Sequence, residues 1–233
     1  MAGSERWRVP LFDFGARAYD WLTAQPLWRE QIARVLAYAP AGPAPRLLDL
    51  GCGPGVSTFV LAERLGPQAE LLGIDVAPKM IARARHHHVR HYGHLRRVRF
   101  AVADATRLPL RDRSIDLAVG HSFLYLVPDR LRVLAEVRRV LVRGGTLVLM
   151  EPHAAGSLLR AARAGAARAH LLWEQPSAAF RFVASMVAWR LLSGTLGRLV
   201  PAEVEALFLA AGFREIHCSP TLGGLGLHCV GRT

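Results

Sequence analysis

Leu47-Leu-Asp-Leu-Gly-Cys-Gly-Pro-Gly55 is the stretch that decides the fold. An apolar run that reads as a buried strand enters three glycines at alternate positions, and a helical pattern follows over 55–65. Glycine at such a junction permits positive φ and lets the main chain approach a ligand closely. The start of the following helix offers unpaired N–H groups to negative charge. About twenty residues beyond the last glycine the next apolar strand ends at Asp75, where a carboxylate can accept both hydroxyls of a ribose. A third acid, Asp104 in Ala103-Asp-Ala105, closes the next strand and is placed to accept from an adenine amino group. A glycine turn by itself needs no ligand. Three such features at the carboxyl ends of three consecutive strands point to a binding site at the sheet edge where open α/β folds take their ligands.

Outward from this segment the chain alternates strand and helix. Strands are predicted at 46–50, 70–74, 98–102, 115–119 and 146–150, with helices at 55–65, 78–89 and 128–141. That alternation predicts an α/β fold, a doubly wound and mostly parallel sheet with helices on both faces. Gly144-Gly145 reads as a turn feeding the fifth strand. Residues 154–200, rich in alanine, arginine and leucine, read as helices inserted after it. A further helix spans 201–211 and is ended by Gly212 at the position that favours glycine. The segments 213–218 and 225–230 form a closing antiparallel pair around a glycine-rich turn.

Upstream, Trp7, Phe12, Phe14, Tyr19, Trp21 and Trp28 crowd into the first forty residues. Leu11, Phe14, Ala18 and Leu22 recur at helical spacing, and a second helix is predicted over 26–38 behind its initial proline. The proline- and glycine-rich stretch 39–45 then marks a boundary. The expected organisation is a helical N-terminal lid segment, 1–45, and a ligand-binding domain, 46–233, that carries the insertion 154–200.

With 233 residues and 52% hydrophobic content the chain can bury a core, which excludes a disordered protein. Thirty basic residues against 18 acidic ones give a formal charge of +12, which favours polyanionic partners. Lys79 is the sole lysine and asparagine is absent, so the arginine excess also fits codon bias. Cys52, Cys218 and Cys229 are too few and too scattered for a disulfide framework or a zinc site. His86-His-His88, His91 and His94 have helical spacing, but the surrounding arginines oppose a bound cation, so no metal site is expected. No apolar run reaches the ~18 residues of a membrane span, and no signal peptide is evident. A cytoplasmic, reduced protein is expected, at most peripheral on the inner face of a membrane.

Asp49-Leu-Gly-Cys-Gly-Pro-Gly55, Gly73-Ile-Asp75, Ala103-Asp-Ala105 and Leu134-Ala-Glu-Val-Arg-Arg-Val-Leu-Val-Arg-Gly-Gly145 together resemble the motif series of class I S-adenosylmethionine-dependent methyltransferases. The resemblance covers roughly 46–151 and 201–231. It implies a seven-stranded sheet with an antiparallel last strand, and S-adenosylmethionine as cofactor. It implies that Asp49, Gly51, Cys52, Gly53 and Gly55 face the methionine part and that Asp75 holds the ribose. Val76 and Met80 would lie against adenine or ribose, Asp104 and Ala105 at the adenine edge, and His121 near the sulfonium. Tyr19 is a candidate cap over the cofactor. His121, Tyr125 and His153 are the candidate general bases, and Glu151-Pro-His153 is expected to line the acceptor pocket.

Gly120-His-Ser-Phe123 stands where nucleic-acid amino-methylating enzymes carry an Asn-Pro-Pro-Tyr-like tetrad. The resemblance therefore favours a small, hydrophobic or lipid-like acceptor such as a phospholipid headgroup or a quinone precursor. An RNA or protein methyltransferase and a non-catalytic cofactor-binding regulator are the alternatives. The aromatic N-terminus and the arginine-flanked apolar insertion make an anionic membrane surface a candidate partner. The sequence does not address oligomeric state.

Overall fold

The structure, a computed structural model, describes residues 26–40, 42, 44–165 and 176–233. Tyr19 and the helix expected over 11–22 lie outside the described residues. In chain order the elements are α1 (Pro26–Ala33), β1 (Arg46–Leu50), α2 (Val56–Leu65), β2 (Glu70–Asp75), α3 (Pro78–His91), β3 (Val98–Val102), β4 (Ile115–His121), α4 (Arg130–Val140), β5 (Leu141–Pro152), α5 (Leu158–Gly165), α6 (Pro176–Leu196), α7 (Pro201–Ala210), β6 (Arg214–Thr221) and β7 (Gly226–Arg232). Short 3-10 turns at Arg34–Tyr38, Leu124–Leu126 and Leu222–Gly224 complete them.

The strands form one seven-stranded sheet in the order β3-β2-β1-β4-β5-β7-β6. β1 pairs in parallel with β2 and β4, and β7 runs antiparallel to both β5 and β6. The expected architecture, with its antiparallel last strand, is what folds. Chain progression reverses between β1 and β4, so the topological switch point lies at the carboxyl end of β1, where the glycine loop stands.

Alternate residues of the central strands segregate to two cores, as a period of two requires. Leu47, Leu117, Val119 and Val148 face Ile32 and Val35 of the N-terminal helical segment, Phe59 of α2 and Ile81 of α3. Leu48, Leu50, Ala118, Leu147 and Leu149 face Val133 and Val137 of α4 and Val204 and Phe208 of α7. Burial on both faces explains why these strands read as continuous apolar runs. At the opposite edge from the glycine loop, Arg46 and Asp116 lock β1 to β4. The Asp116 carboxylate accepts from Arg46 N, Nε and Nη2 at 2.8, 3.0 and 2.8 Å.

α1 covers the carboxyl end of β5 and the amino end of β7. Trp28 packs with Met150, Met186 and Leu225, and its indole N–H donates to Ser185 Oγ on α6 at 3.0 Å. Thr221 Oγ1 and Gln31 Oε1, 2.9 Å apart, tie α1 to the end of β6.

Two expectations need correction. Gly144-Gly145 is not a turn before the fifth strand: β5 begins at Leu141 and runs through it. The pairing with β4 shifts register between Ile115 and Leu117, and Gly144 takes a φ of 73°, so the pair is an irregularity inside a longer strand. Cys218 and Cys229, read as scattered, are directly opposed in the β6–β7 register and form a disulfide with Cα atoms 4.2 Å apart. Eleven residues of separation carried no sign of this, because the opposition depends on hairpin register. Cys52 is the free, buried thiol among the described residues.

Candidate functional site

A cavity of about 340 Å³ lies at the carboxyl edge of the sheet over β1–β4. Its floor is the glycine loop, which supplies Gly51 and Gly53. Gly51 has φ 63° and packs so closely under the Phe123 ring that a Cβ there would stand 2.7 Å from Cδ2. Gly53 has φ 52°, and its N–H donates to Asp75 Oδ2 at 3.0 Å. The loop is further held by Cys52 N donating to Ile74 O at 2.9 Å.

Asp75 ends β2 on the cavity wall, and its second oxygen accepts from Ala77 N at 2.8 Å. Val76 and Met80 follow on the same wall, Val76 half exposed. Asp104 and Ala105 line the next side, with Asp104 Oδ1 accepting from Thr106 N at 2.8 Å. The roof is apolar: Phe123, Leu126 and Val127 lie beyond β4, with Val133 of α4 behind them.

Asp49 lies beneath the loop, 2% exposed. Ser57 Oγ and Thr58 Oγ1 both donate to its Oδ2 at 2.6 Å, whereas Oδ1 is buried without a protein partner. Burial pushes this carboxyl up to about 6, against the two hydroxyl hydrogen bonds and with a smaller push from the Asp75 charge. Asp49 itself is not among the residues that line the cavity.

His121 ends β4 and lines the cavity. Both of its ring nitrogens are buried without a hydrogen-bond partner, although the residue as a whole is only partly buried. Burial pushes the imidazole down to about 4, and His228 adds to that. It is therefore neutral near pH 7.

Of the three candidate bases, His121 alone stands in the cavity wall. Tyr125 is 5% exposed inside the core against α4 and α7. His153 sits past β5, its Nδ1 3.1 Å from Gly224 O, and does not line the cavity. Cys52 and Gly55 lie behind the loop: the thiol is buried and pushed up by that burial, and Gly55 packs on Phe59 and Phe100. Glu151, expected at the acceptor pocket, is fully buried under the turn after β4 and accepts from three of its backbone N–H groups. Even alternation explains the error: Leu149 and Glu151 share the core face of β5. The sequence reading missed Phe123, Leu126 and Val127, because apolar residues in a loop read as packing rather than as a ligand wall.

No lysine or arginine is among the described residues that line the cavity, and three carboxylates are, Asp75, Asp104 and Asp129. A phosphate-rich dinucleotide finds no counter-charge here. A ligand with hydroxyl and amino donors, a positive charge and an apolar ring does. The acids at the ends of β2 and β3, the floor free of side chains at Gly51 and Gly53, and the apolar roof fit S-adenosylmethionine.

Comparison with known proteins agrees. Residues 42–189 match the methyltransferase domain family. The chain belongs to this family, and its fold is that of the class I S-adenosylmethionine-dependent methyltransferases. It is 40% identical over 122 residues to a trans-aconitate 2-methyltransferase of Methylobacterium radiotolerans, covering 52% of this chain and 43% of the relative. It is 33% identical to an aklanonic acid methyltransferase of a Streptomyces species, covering 60% and 63%. Among solved structures, a Haemonchus contortus phosphoethanolamine N-methyltransferase superposes with a TM-score of 0.62 at 19% identity, over 90% of this chain and 43% of that one. The chain spans less than two thirds of the length of these relatives.

Proposed function

We propose that this chain transfers a methyl group from S-adenosylmethionine to a small, hydrophobic or lipid-like acceptor such as a phospholipid headgroup or a quinone precursor. The observation that carries the reading is the cavity itself: a glycine floor, acids at the ends of β2 and β3, an apolar roof, and His121 beside them with unpaired ring nitrogens. The names of the relatives, trans-aconitate and aklanonic acid methyltransferases and a demethylmenaquinone methyltransferase, support a small acceptor.

When bound, S-adenosylmethionine supplies an activated methyl on a sulfonium. The protein's work is then alignment and exclusion of water. Asp75 takes the ribose hydroxyls, Val76 and Met80 pack against the nucleoside, and Asp104 with Ala105 meets the adenine edge. Gly51 and Gly53 receive the methionine part from the cavity floor, and Asp49, Cys52 and Gly55 support that floor from beneath. Neutral His121 is the acceptor for the proton that the methyl acceptor sheds, which requires one of its buried ring nitrogens to turn into the cavity. The chain divides into a helical lid segment, 1–45, in which Tyr19 caps the cofactor, and the catalytic domain, 46–233, whose insertion 154–200 covers the acceptor.

A greasy acceptor is supported by α6. Phe180, Val183, Val187 and Leu191 recur at helical spacing and are exposed, Phe180 by 70% and Leu191 by 68%. Among the described residues no helix is long and apolar enough to cross a membrane. A row of this kind suits peripheral contact with an anionic lipid surface, on the inner face of a membrane.

The test is transfer of isotopically labelled methyl from S-adenosylmethionine to a panel of organic acids, phenols, quinone precursors and dispersed phospholipids, with RNA and protein as comparison acceptors. Label in an apolar small molecule is expected. Label confined to RNA or protein would replace this reading.

A further inference from the structure

We propose that Glu151 is a positioning residue of the cofactor cavity, its carboxylate fixing the Phe123–Tyr125 turn that forms the roof over the glycine loop. The proposal rests on the methyltransferase reading of the same cavity and assigns a role to a residue outside it.

Glu151 stands at the end of β5 and is fully buried. Oε1 accepts from Phe123 N at 3.1 Å and Leu124 N at 2.8 Å, and Oε2 accepts from Tyr125 N at 3.2 Å. Three consecutive N–H groups converge because a 3-10 turn starts at Leu124, and the first N–H groups of a helical turn have no partner within it. The residue before this turn is held as well: Ser122 takes a φ of 55°, and its N–H donates to Met150 O at 2.7 Å. β5 thus grips the chain from Ser122 to Tyr125 through one main-chain oxygen and one carboxylate.

What it grips is the roof. The Phe123 ring lies over two glycines: a Cβ on Gly51 would stand 2.7 Å from its Cδ2, and a Cβ on Gly120 3.4 Å from its Cδ1. With contacts this close, a shift of the turn moves the ring against the loop that receives the ligand. Packing alone would not require an acid here. A charged acceptor satisfies all three donors, whereas a protonated carboxyl would direct a hydrogen at groups that are themselves donors.

The protonation state is set by few neighbours. Burial pushes the carboxyl up to about 7, opposed by the three N–H groups and by the Arg130 charge. Arg130 on α4 is ion-paired with Glu203 on α7 at 2.5 Å, and its Nη2 also donates to Tyr125 O at 3.4 Å. On β4 His121 is neutral, and on β5 itself His153 is bonded to Gly224 O. The grip is accordingly weakest in acid and complete in mild alkali, so cofactor affinity rises with pH through about 7.

The experiment measures calorimetric affinity for S-adenosylhomocysteine between about pH 6 and about pH 8.5, with parent chain, Glu151→Gln and Glu151→Asp. Amide hydrogen exchange of residues 122–127 is followed without ligand. Losing a charge-assisted acceptor predicts affinity about tenfold weaker at pH 8 in Glu151→Gln, with faster exchange of the Phe123–Tyr125 amides. The rise in affinity through pH 7 disappears in Glu151→Gln and persists in Glu151→Asp, while any component near pH 6 from Asp49 remains in both. A folded Glu151→Gln with the parent's affinity and pH profile overturns the proposal. If that variant does not fold, a parent profile that is flat from pH 6 to 8 overturns it, and one that rises through 7 and persists in Glu151→Asp supports it. A parent that binds no S-adenosylhomocysteine contradicts the methyltransferase reading instead. In that case unchanged exchange of the turn in Glu151→Gln still refutes the grip, and faster exchange supports it.

Discussion

Gly53 donates its N–H to Asp75 Oδ2 at 3.0 Å, so the acid at the end of β2 fastens the glycine loop as well as facing the cavity. Asp75→Ala removes a ligand contact and a loop contact together. Affinity for S-adenosylhomocysteine should fall by roughly 1.5–3 kcal/mol, the scale of hydrogen bonds to a charged group. Calorimetry checks it, and an unchanged affinity would remove Asp75 from the site.

Gly51 and Gly66 make a controlled pair. Both have positive φ, 63° and 86°, but a Cβ at Gly51 meets the Phe123 ring and one at Gly66 meets nothing within 4 Å. Alanine should cost about 1 kcal/mol of stability through its backbone conformation at Gly51 and up to about 3 kcal/mol at Gly66, whose φ of 86° and ψ of 179° lie in a region reserved for glycine. Only Gly51→Ala should also weaken S-adenosylhomocysteine binding. Urea unfolding and calorimetry on both variants separate the two effects.

Asp49 carries a pH signature. Its carboxyl is raised from an ordinary 3.8 to about 6, chiefly by burial. A raised folded value means that stability is fully present below about 3.8 and is lost as pH rises through about 6. Asp49→Asn lacks this dependence. Between those limits the stability of the variant relative to the parent should shift by roughly 3 kcal/mol in the variant's favour. Denaturant unfolding at several pH values measures the difference, and a constant offset between the two chains would contradict it. The variant should at the same time bind S-adenosylmethionine more weakly.

The sheet was legible because its central strands are apolar and buried on both faces, and because glycines and acids punctuate the carboxyl ends of β1, β2 and β3. Asp75 and Asp104 could be placed on the cavity from that pattern alone, and His121 only through the family resemblance. The Cys218–Cys229 bond and the extension of β5 through Gly144-Gly145 could not, since both depend on the register in which paired strands meet, which residue spacing alone does not set. Glu151, expected to line the acceptor pocket, stands at that strand end but is buried beneath the turn after β4. A lone acid after an apolar run looks like a pocket residue until the three N–H groups above it are seen.

Lipid contact through α6 gives a separate expectation. The chain should co-sediment with vesicles containing anionic lipid at low salt and be released as salt rises, since a screened arginine contributes little beyond about 8–10 Å. Neutral vesicles should retain less. A chain that stays in the supernatant throughout favours an acceptor delivered from water.

Titration calorimetry of the chain with S-adenosylhomocysteine tests the central claim most directly, since it needs no knowledge of the acceptor. The account predicts saturable one-to-one binding with micromolar Kd, about −8 kcal/mol, lost or strongly weakened in Asp75→Ala. Absence of binding at millimolar ligand by a folded chain would contradict it.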